Sequence, residues 1–438
     1  MKTSAEKILK YIKNSPTAFH AVDTVKKGLI ENNYIELNEN EKWNLESGKS
    51  YFTIRNNTSI IAFSIGENLE RYNFNIAASH TDSPTFKLKE NVQITIGDKY
   101  TKLNTEGYGG MICSTWFDRP LSIAGRVVIK KENKLETKLI NFDRDLLMIP
   151  NLAIHMNRNV NDGYSYNKQI DLLPLLSGKK EKDNIINEMI AKEINIDVNE
   201  IYGSDLFLYN RMEPTIWGLN DEFISAPQLD DLQCVFSSLE ALINSKPKEA
   251  INVIACFDNE EVGSQTKQGA GSTLLYDILL RINQGLGKSI EDFYCALASS
   301  FMISCDNAHA VHPNHVSKTD ETNNAYMNHG IVIKSHAGQK YTSDGLSIAL
   351  FKNYCEKANV PYQFFANRSD MIGGSTLGNI AMNQISINSV DIGLAQLAMH
   401  STYETAGMKD IKYLIDVLTM FFNSSIKQNN VNELIIYE

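Results

Sequence analysis

The chain of 438 residues lacks a basic bias: 42 Lys and Arg stand against 52 Asp and Glu, a formal net charge of −10. No long basic run offsets that balance, which argues against bulk attraction to nucleic acid or an anionic membrane. No apolar window is long enough for a membrane span. The N-terminus, MKTSAEKILKYIKNSPTAF, lacks the continuous apolar stretch of a signal peptide. Cysteine is sparse. The six residues Cys113, Cys234, Cys256, Cys295, Cys305 and Cys355 form no CxxC, and several lie inside apolar runs. That pattern reads as reduced core cysteine in a cytoplasmic protein rather than a disulfide framework. A dinucleotide GxGxxG is absent, and the Gly373-Gly374-Ser375-Thr376 loop lacks the Lys of a phosphate-binding P-loop. There are no internal repeats and no low-complexity tract. What remains is an ordinary globular composition, 43% hydrophobic and 21% charged. Its length suffices for two or three domains with a large core.

Hydrophobic spacing divides the chain into three textures. Ile8, Leu9 and Ile12, then Val22, Val25 and Leu29, recur at helical steps, with Asn14-Ser15-Pro16-Thr17 between them, so two helices are expected over 4–31. Strands follow at 51–55, 59–64 and 74–79. From about 84 to 216, alternating stretches such as Val92-Gln93-Ile94-Thr95-Ile96 suggest half-buried antiparallel strands, with one helix near 181–194. From 228 onward apolar strands at 251–257, 300–305, 361–366 and 389–394 alternate with helices at 229–243, 271–283, 345–358, 376–384 and 408–424. The expected fold is α/β: a mixed sheet flanked by helices, formed by 1–83 and 217–438, with a β-rich segment, 84–216, inserted between.

Five stretches place polar ligand types at the edges of these elements. Glu260 and Glu261 follow the buried run Ile251–Phe257, where two adjacent carboxylates repel and add nothing to a core. At the carboxyl end of a strand in an open α/β sheet, however, ligands bind. His80 and Asp82 follow another apolar run. Asp230 and Asp231 open a helix, where a capping role competes with a functional one. Asp306, His309, His312 and His315 follow the 300–305 strand, and His400 follows the 389–394 strand. Imidazoles and carboxylates together suit Zn²⁺. With one aspartate bridging, five side chains suffice for a two-metal hydrolytic site.

These stretches resemble the M18 family of metalloaminopeptidases, which includes aspartyl aminopeptidase and vacuolar aminopeptidase I. The resemblance runs through SHTDSP (79–84), LAIHMNRNVN (152–161), QLDDL (228–232), DNEEVGS (258–264), DNAHAVHPNH (306–315), DMIGGSTLG (370–378) and LAMHS (397–401). It implies that Asp230 bridges two metals, that His80 and Asp306 complete one and that Glu261 and His400 complete the other. Glu260 is implied as general base on a metal-activated water, and Asp82 as the partner of His80. His309 and Lys334 are implied as substrate contacts. His155 is implied to reach a neighbouring subunit's active site. Two Zn²⁺ per subunit, with Mn²⁺ or Co²⁺ as alternatives, and a tetrahedral dodecamer built from dimers also follow from the resemblance. The expected activity is removal of N-terminal residues from peptides, with Lys334 motivating acidic ones. The alternatives are an aminopeptidase for neutral residues, a related two-metal carboxypeptidase or deacylase, and a non-catalytic metal-stabilised shell. His312 and His315 are expected to be structural or to support the ligands from behind, and Asp231 to be a helix-start residue rather than a ligand.

Overall fold

Phe74–His80, Ile251–Phe257 and Phe301–Cys305 are buried along their whole length. Strands buried on both faces have none to offer water, and in the computed structural model all three pair in parallel at the centre of a sheet. The structure describes residues 1–437; Glu438, the last residue of the expected 217–438 segment, lies outside the described residues.

The central sheet is nine-stranded and mixed. Its order is Ile35–Glu36, Ser50–Arg55, Ser59–Ile65, Ile251–Phe257, Phe74–His80, Phe301–Cys305, Asn388–Gly393, Ile331–Lys334 and Tyr362–Phe365. Alternate residues of one strand serve opposite layers. Ile254 and Cys256 pack with helices Lys2–Lys13, Ala18–Glu31, Leu229–Asn244, Gly345–Lys357 and Asp410–Phe422. Val253, Ala255 and Phe257 pack with Leu274–Gly285, Ile290–Ala298 and Leu377–Ala381. Among the described residues no helix is long and apolar enough to cross a membrane.

A six-stranded antiparallel sheet is drawn from residues between Thr85 and Asn210. Its alternating inward residues, among them Phe86, Leu103, Ile123, Val127, Leu206 and Leu208, close a separate core with Trp116, Phe117 and the helix Ile185–Ile194. Arg126 ties this body to the main one: Nη1 donates to the Asn56 carbonyl at 2.9 Å, and the guanidinium stacks 4.8 Å from the Phe19 ring.

Several elements depart from the sequence expectation. The helices expected from 181, from 271 and to 384 are Ile185–Ile194, Leu274–Gly285 and Leu377–Ala381. The helix Ile290–Ala298 was not anticipated, although Ser289 and Asp292 form a capping box at its start. The closing hairpin, Ser425–Asn430 with Glu433–Tyr437, was also missed. So was a small five-stranded sheet of Thr215–Trp217, Phe223–Ala226, Glu404–Gly407, Ala395–Leu397 and Ala308–His309. Its strands are two to four residues long, too short for a period to register. All six cysteines are free; Cys234, Cys256, Cys305 and Cys355 are buried, whereas Cys295 is exposed.

Candidate metal centre

The three parallel strands at the sheet centre end side by side. Phe257 is in register with His80, and Ser304 with Ala78, so the chain leaves all three at one level. His80 is the last residue of its strand, Asp306 follows the next, and the Glu260–Val262 turn follows the third. Asp230 enters from the start of the helix Leu229–Asn244, where it and Asp231 still have non-helical dihedrals. His400 enters on the turn between two strands of the small sheet.

The side chains converge. Ligand atoms of His80, Asp230 and Asp306 lie within 4.8 Å of one another, and so do those of Asp230, Glu261 and His400. The two groups share Asp230. A third group, His80, Glu260 and Glu261, satisfies the same limit. His80 Nε2 stands 3.5 Å from Asp230 Oδ1; His400 Nε2 stands 3.7 Å from Asp230 Oδ2 and 3.3 Å from Glu261 Oε2.

This arrangement fits a cation. His80 Nδ1 lies 3.1 Å from the Asp82 carbonyl oxygen, which can only accept, so Nδ1 carries the hydrogen. In the neutral form that a metal ligand needs, His80 turns the lone pair of Nε2 towards Asp230 Oδ1, a buried oxygen with no other donor. Without a cation there, burial opposes a charged ring but Asp230 and Asp82 raise its pKa well above the ordinary value. Glu261 Oε1 is likewise buried without a donor. Facing acceptors at this depth are costly unless a positive charge lies between them. The donor set, two imidazoles with carboxylates, is the one Zn²⁺ takes.

Charge crowding shows in the ionisation of the group. Burial, together with the charges of Asp306, Glu261 and Asp82, outweighs His80 and pushes the Glu260 carboxyl up to about 8. Burial and Asp230 push Glu261 up to about 7 against the pull of His400. Burial lifts Asp306 to about 6, although Lys334 pulls it down. Burial opposes the charged form of His400, but its bond to Glu261 and the charges of Glu261 and Asp230 win and raise it to about 9.

Asp82 organises more than His80. Its Oδ1 is 3.5 Å from His80 Nδ1 and accepts from the Glu260 N–H at 3.1 Å, while Oδ2 accepts from the Glu261 N–H at 3.2 Å and from Tyr108 Oη at 2.6 Å. One carboxylate thus fixes the turn carrying both glutamates. Asp231 is fully buried at the helix start and accepts from the His80 N–H at 3.3 Å, a contact to backbone rather than into the cluster.

The remaining candidates divide. Lys334 is buried; Nζ donates to the Asn307 carbonyl at 3.1 Å and lies 3.9 Å from Asp306 Oδ1. His309 has an edge open to solvent and meets the Phe365 ring edge to face, centroids 6.2 Å apart. The protein around it and the charge of Lys334 still lower its pKa, so it is neutral near pH 7. His155 is not brought to the cluster within one chain. It is exposed on a turn beside Leu152, Ile154 and Met156, the last 76% exposed. Exposed His312 and His315 stack on each other at 4.9 Å, away from these ligand groups.

The sequence matches the family model described as aminopeptidase I zinc metalloprotease (M18) over residues 11–422. The chain belongs to the M18 family. It is therefore a metalloaminopeptidase, a hydrolase of peptide bonds. A probable M18 family aminopeptidase 2 from Clostridium novyi is 50% identical over 96% of this chain and 98% of its own length. Among solved structures, a chain of the Ape4 and Nbr1 complex superposes with a TM-score of 0.93 at 35% identity, over 96% of this chain and 86% of that one. The mApe1 dodecamer of S. cerevisiae gives 0.83 at 25% identity, over 96% and 97%. The α/β fold is thus that of the M18 aminopeptidases.

Two polar residues at the centre escaped sequence reasoning. Tyr108 bonds Asp82 and accepts from Asn259 Nδ2 at 2.8 Å; a tyrosine before Gly109 and Gly110 carries no local sign of that role. Glu404 is buried beneath His400. The available signal was a carboxylate opening the short run Glu404-Thr405-Ala406-Gly407, four residues after His400.

Proposed function

We propose that this M18 enzyme is a two-metal aminopeptidase that removes the N-terminal residue of peptides and prefers Asp or Glu there. The observation that carries the reading is the pair of donor groups sharing Asp230, with Glu260 at their side. His80, Asp230 and Asp306 would hold one Zn²⁺, and Asp230, Glu261 and His400 the other; Mn²⁺ or Co²⁺ suit the same donors. Bound zinc supplies Lewis acidity and lowers the pKa of water from 15.7 towards ~7.

The protein's own groups do the rest. Glu260 takes a proton from the attacking water and returns it to the leaving amine, a task matched to a carboxyl whose pKa lies near neutrality. Asp82 holds the His80 ring and the Glu260–Glu261 turn in one frame. Neutral His309 and the Lys334 ammonium face the substrate. Lys334 supports the acidic preference because its Nζ has three N–H donors, of which Asn307 takes one, although Asp306 shares its charge. His155 serves the active site of a neighbouring subunit, as a donor to the tetrahedral oxyanion. That assignment is supported by its exposed apolar surroundings here and by the dodecameric mApe1 relative. The same two observations support a homo-oligomer, built as a dodecamer from dimers, with the 84–216 segment as its oligomerisation body.

The test is a panel of Asp-, Glu- and Leu-p-nitroanilides together with an N-acetylated peptide. Asp and Glu substrates are expected to react fastest, and acetylation to abolish cleavage. Preference for Leu would refute the acidic assignment. Cleavage of the acetylated peptide at undiminished rate would point to a carboxypeptidase or deacylase instead.

A further inference from the structure

We infer that Glu404 is a positioning residue that locks the backbone of Asp230 to that of His400 and so sets the spacing of the metal ligands on that side of the centre. The inference rests on the reading of Asp230 and His400 as metal ligands.

Glu404 is 2% exposed. Its Oε2 accepts the Asp230 N–H at 2.9 Å and its Oε1 accepts the His400 N–H at 2.7 Å. The donors come from segments 170 residues apart (400 − 230). Each oxygen is committed to a different ligand's backbone, and both bonds are short. A carboxylate suits the task because two N–H donors need two acceptors, whereas an amide supplies one oxygen.

Glu404 opens the strand Glu404–Gly407 and pairs with Ala226, the last residue of Phe223–Ala226, so it sits where the chain turns towards Asp230. His400 has φ +65° and Ala398 +57°, left-handed conformations that non-glycine residues hold only when the surroundings enforce them. The enforcement on His400 comes from both sides of the residue. Glu404 holds its N–H, and the Ile112 N–H, from the inserted body, donates to its carbonyl at 3.0 Å. Without the Glu404 carboxylate the buried Asp230 N–H and the half-buried His400 N–H lose their acceptors; the turn keeps the Ile112 bond and those of Thr402 to Thr115 and Asn210, none of which reaches Asp230. Strand pairing with Ala226 runs through backbone atoms and survives any change of the side chain. A role limited to fold stability would therefore leave zinc affinity unchanged.

The experiment titrates Zn²⁺ into the chelated full-length protein in competition with a chromophoric chelator. The variants are Glu404→Ala and Glu404→Gln, with Asp230→Asn and His400→Ala as references. Glu404→Ala is expected to bind zinc ~10- to 100-fold more weakly. Glu404→Gln, nearly isosteric and able to fold where Ala does not, should fall between Ala and wild type, and excess Zn²⁺ should restore its kcat. Wild-type zinc affinity in both Glu404 variants, with weakened binding in the two references, would overturn the positioning role while leaving the metal reading intact. Undiminished affinity in the references would overturn the metal reading, and this inference with it.

Discussion

Glu260→Gln exchanges one oxygen for an amino group at constant volume, so it separates proton transfer from metal binding. As the base, Glu260 should account for about 10²–10⁴ in rate, equivalent to roughly 3–5 kcal/mol of barrier. Zinc content should be unchanged. A second effect follows from the raised pKa. The folded chelated protein holds a proton on Glu260 up to about pH 8, while the unfolded chain releases it near 4.5. That contribution to stability is complete below about 4.5 and is lost as pH rises through about 8, because the folded state binds more protons across this window. At ~1.4 kcal/mol per unit the full shift would approach 5 kcal/mol, and screening of this partly accessible side chain reduces it to the order of 2–3 kcal/mol. Glu260→Gln removes the penalty. The chelated variant should therefore melt above the chelated wild type at a pH above about 8 and close to it near 4.5. Activity on Asp-p-nitroanilide, zinc by mass spectrometry and scanning calorimetry at the two pH values check the three parts. A variant with full zinc and most of its activity would refute the base assignment. A chelated variant no more stable than wild type at high pH would refute the account of charge crowding.

Glu261→Gln should instead weaken zinc binding by ~10- to 100-fold, read by chelator competition, with activity recovering as Zn²⁺ is added; wild-type affinity would remove Glu261 from the ligand set. His155→Ala should lower kcat by about 10²-fold with zinc content intact. Co-expressing His155→Ala with Glu260→Gln should restore part of the activity, since a mixed assembly can pair an intact base with an intact His155; no recovery would refute the reach between subunits. His20 is expected to set an acid limit on stability. Burial depresses its pKa to about 4, and Thr17 Oγ1 lies 2.8 Å from Nδ1. Its contribution is present above 6.5 and lost as pH falls through about 4, because the unfolded state then binds the extra proton. His20→Gln should flatten the fall in melting temperature over that interval, and an unchanged slope would exclude His20 as its source.

Elements with a strong period or an unbroken apolar run were legible in the sequence. Ile251–Phe257 could be read to the residue because a strand buried on both faces is apolar almost throughout, Asn252 excepted. The helix Leu229–Asn244, buried on every side from Leu229 to Leu239, was legible from its start, where Asp230 and Asp231 are residue types that cap helices. Local signals failed where structure is set by distant partners. Ala308–His309 is a strand only because Ala395 and Gln396 lie beside it, and Glu404 looks like an ordinary surface carboxylate until Asp230 arrives from 174 residues away. The ligand types were visible for the converse reason: a histidine or carboxylate directly after a buried run is costly without a partner, and the cost shows in the sequence even when the partner does not.

The Glu260–Glu261 pair marks the limit of that reasoning. Adjacent identical residues have the same composition, the same strand before them and nearly the same neighbours in sequence. Their backbones are also treated alike, since Asp82 accepts both N–H groups through its two oxygens. The difference lies in the side chains. Glu261 is drawn to His400 at 3.3 Å and has a buried oxygen without a donor, the condition of a carboxylate in need of a cation. Glu260 makes no such pair, and burial with the surrounding carboxylates raises its pKa to about 8. A ligand gains from a low pKa, because protons compete with the metal. A base that must also return its proton gains from one near neutrality. The His400 contact and the oxygen without a donor support the proposed order, Glu261 as ligand and Glu260 as base, and the two bonds to Asp82 make it the residue on which both positions depend. Asp82→Asn, which replaces one of the two acceptors with a donor facing an N–H, should lower zinc affinity and kcat together, whereas Glu260→Gln lowers kcat alone and the kcat of Glu261→Gln recovers with added zinc.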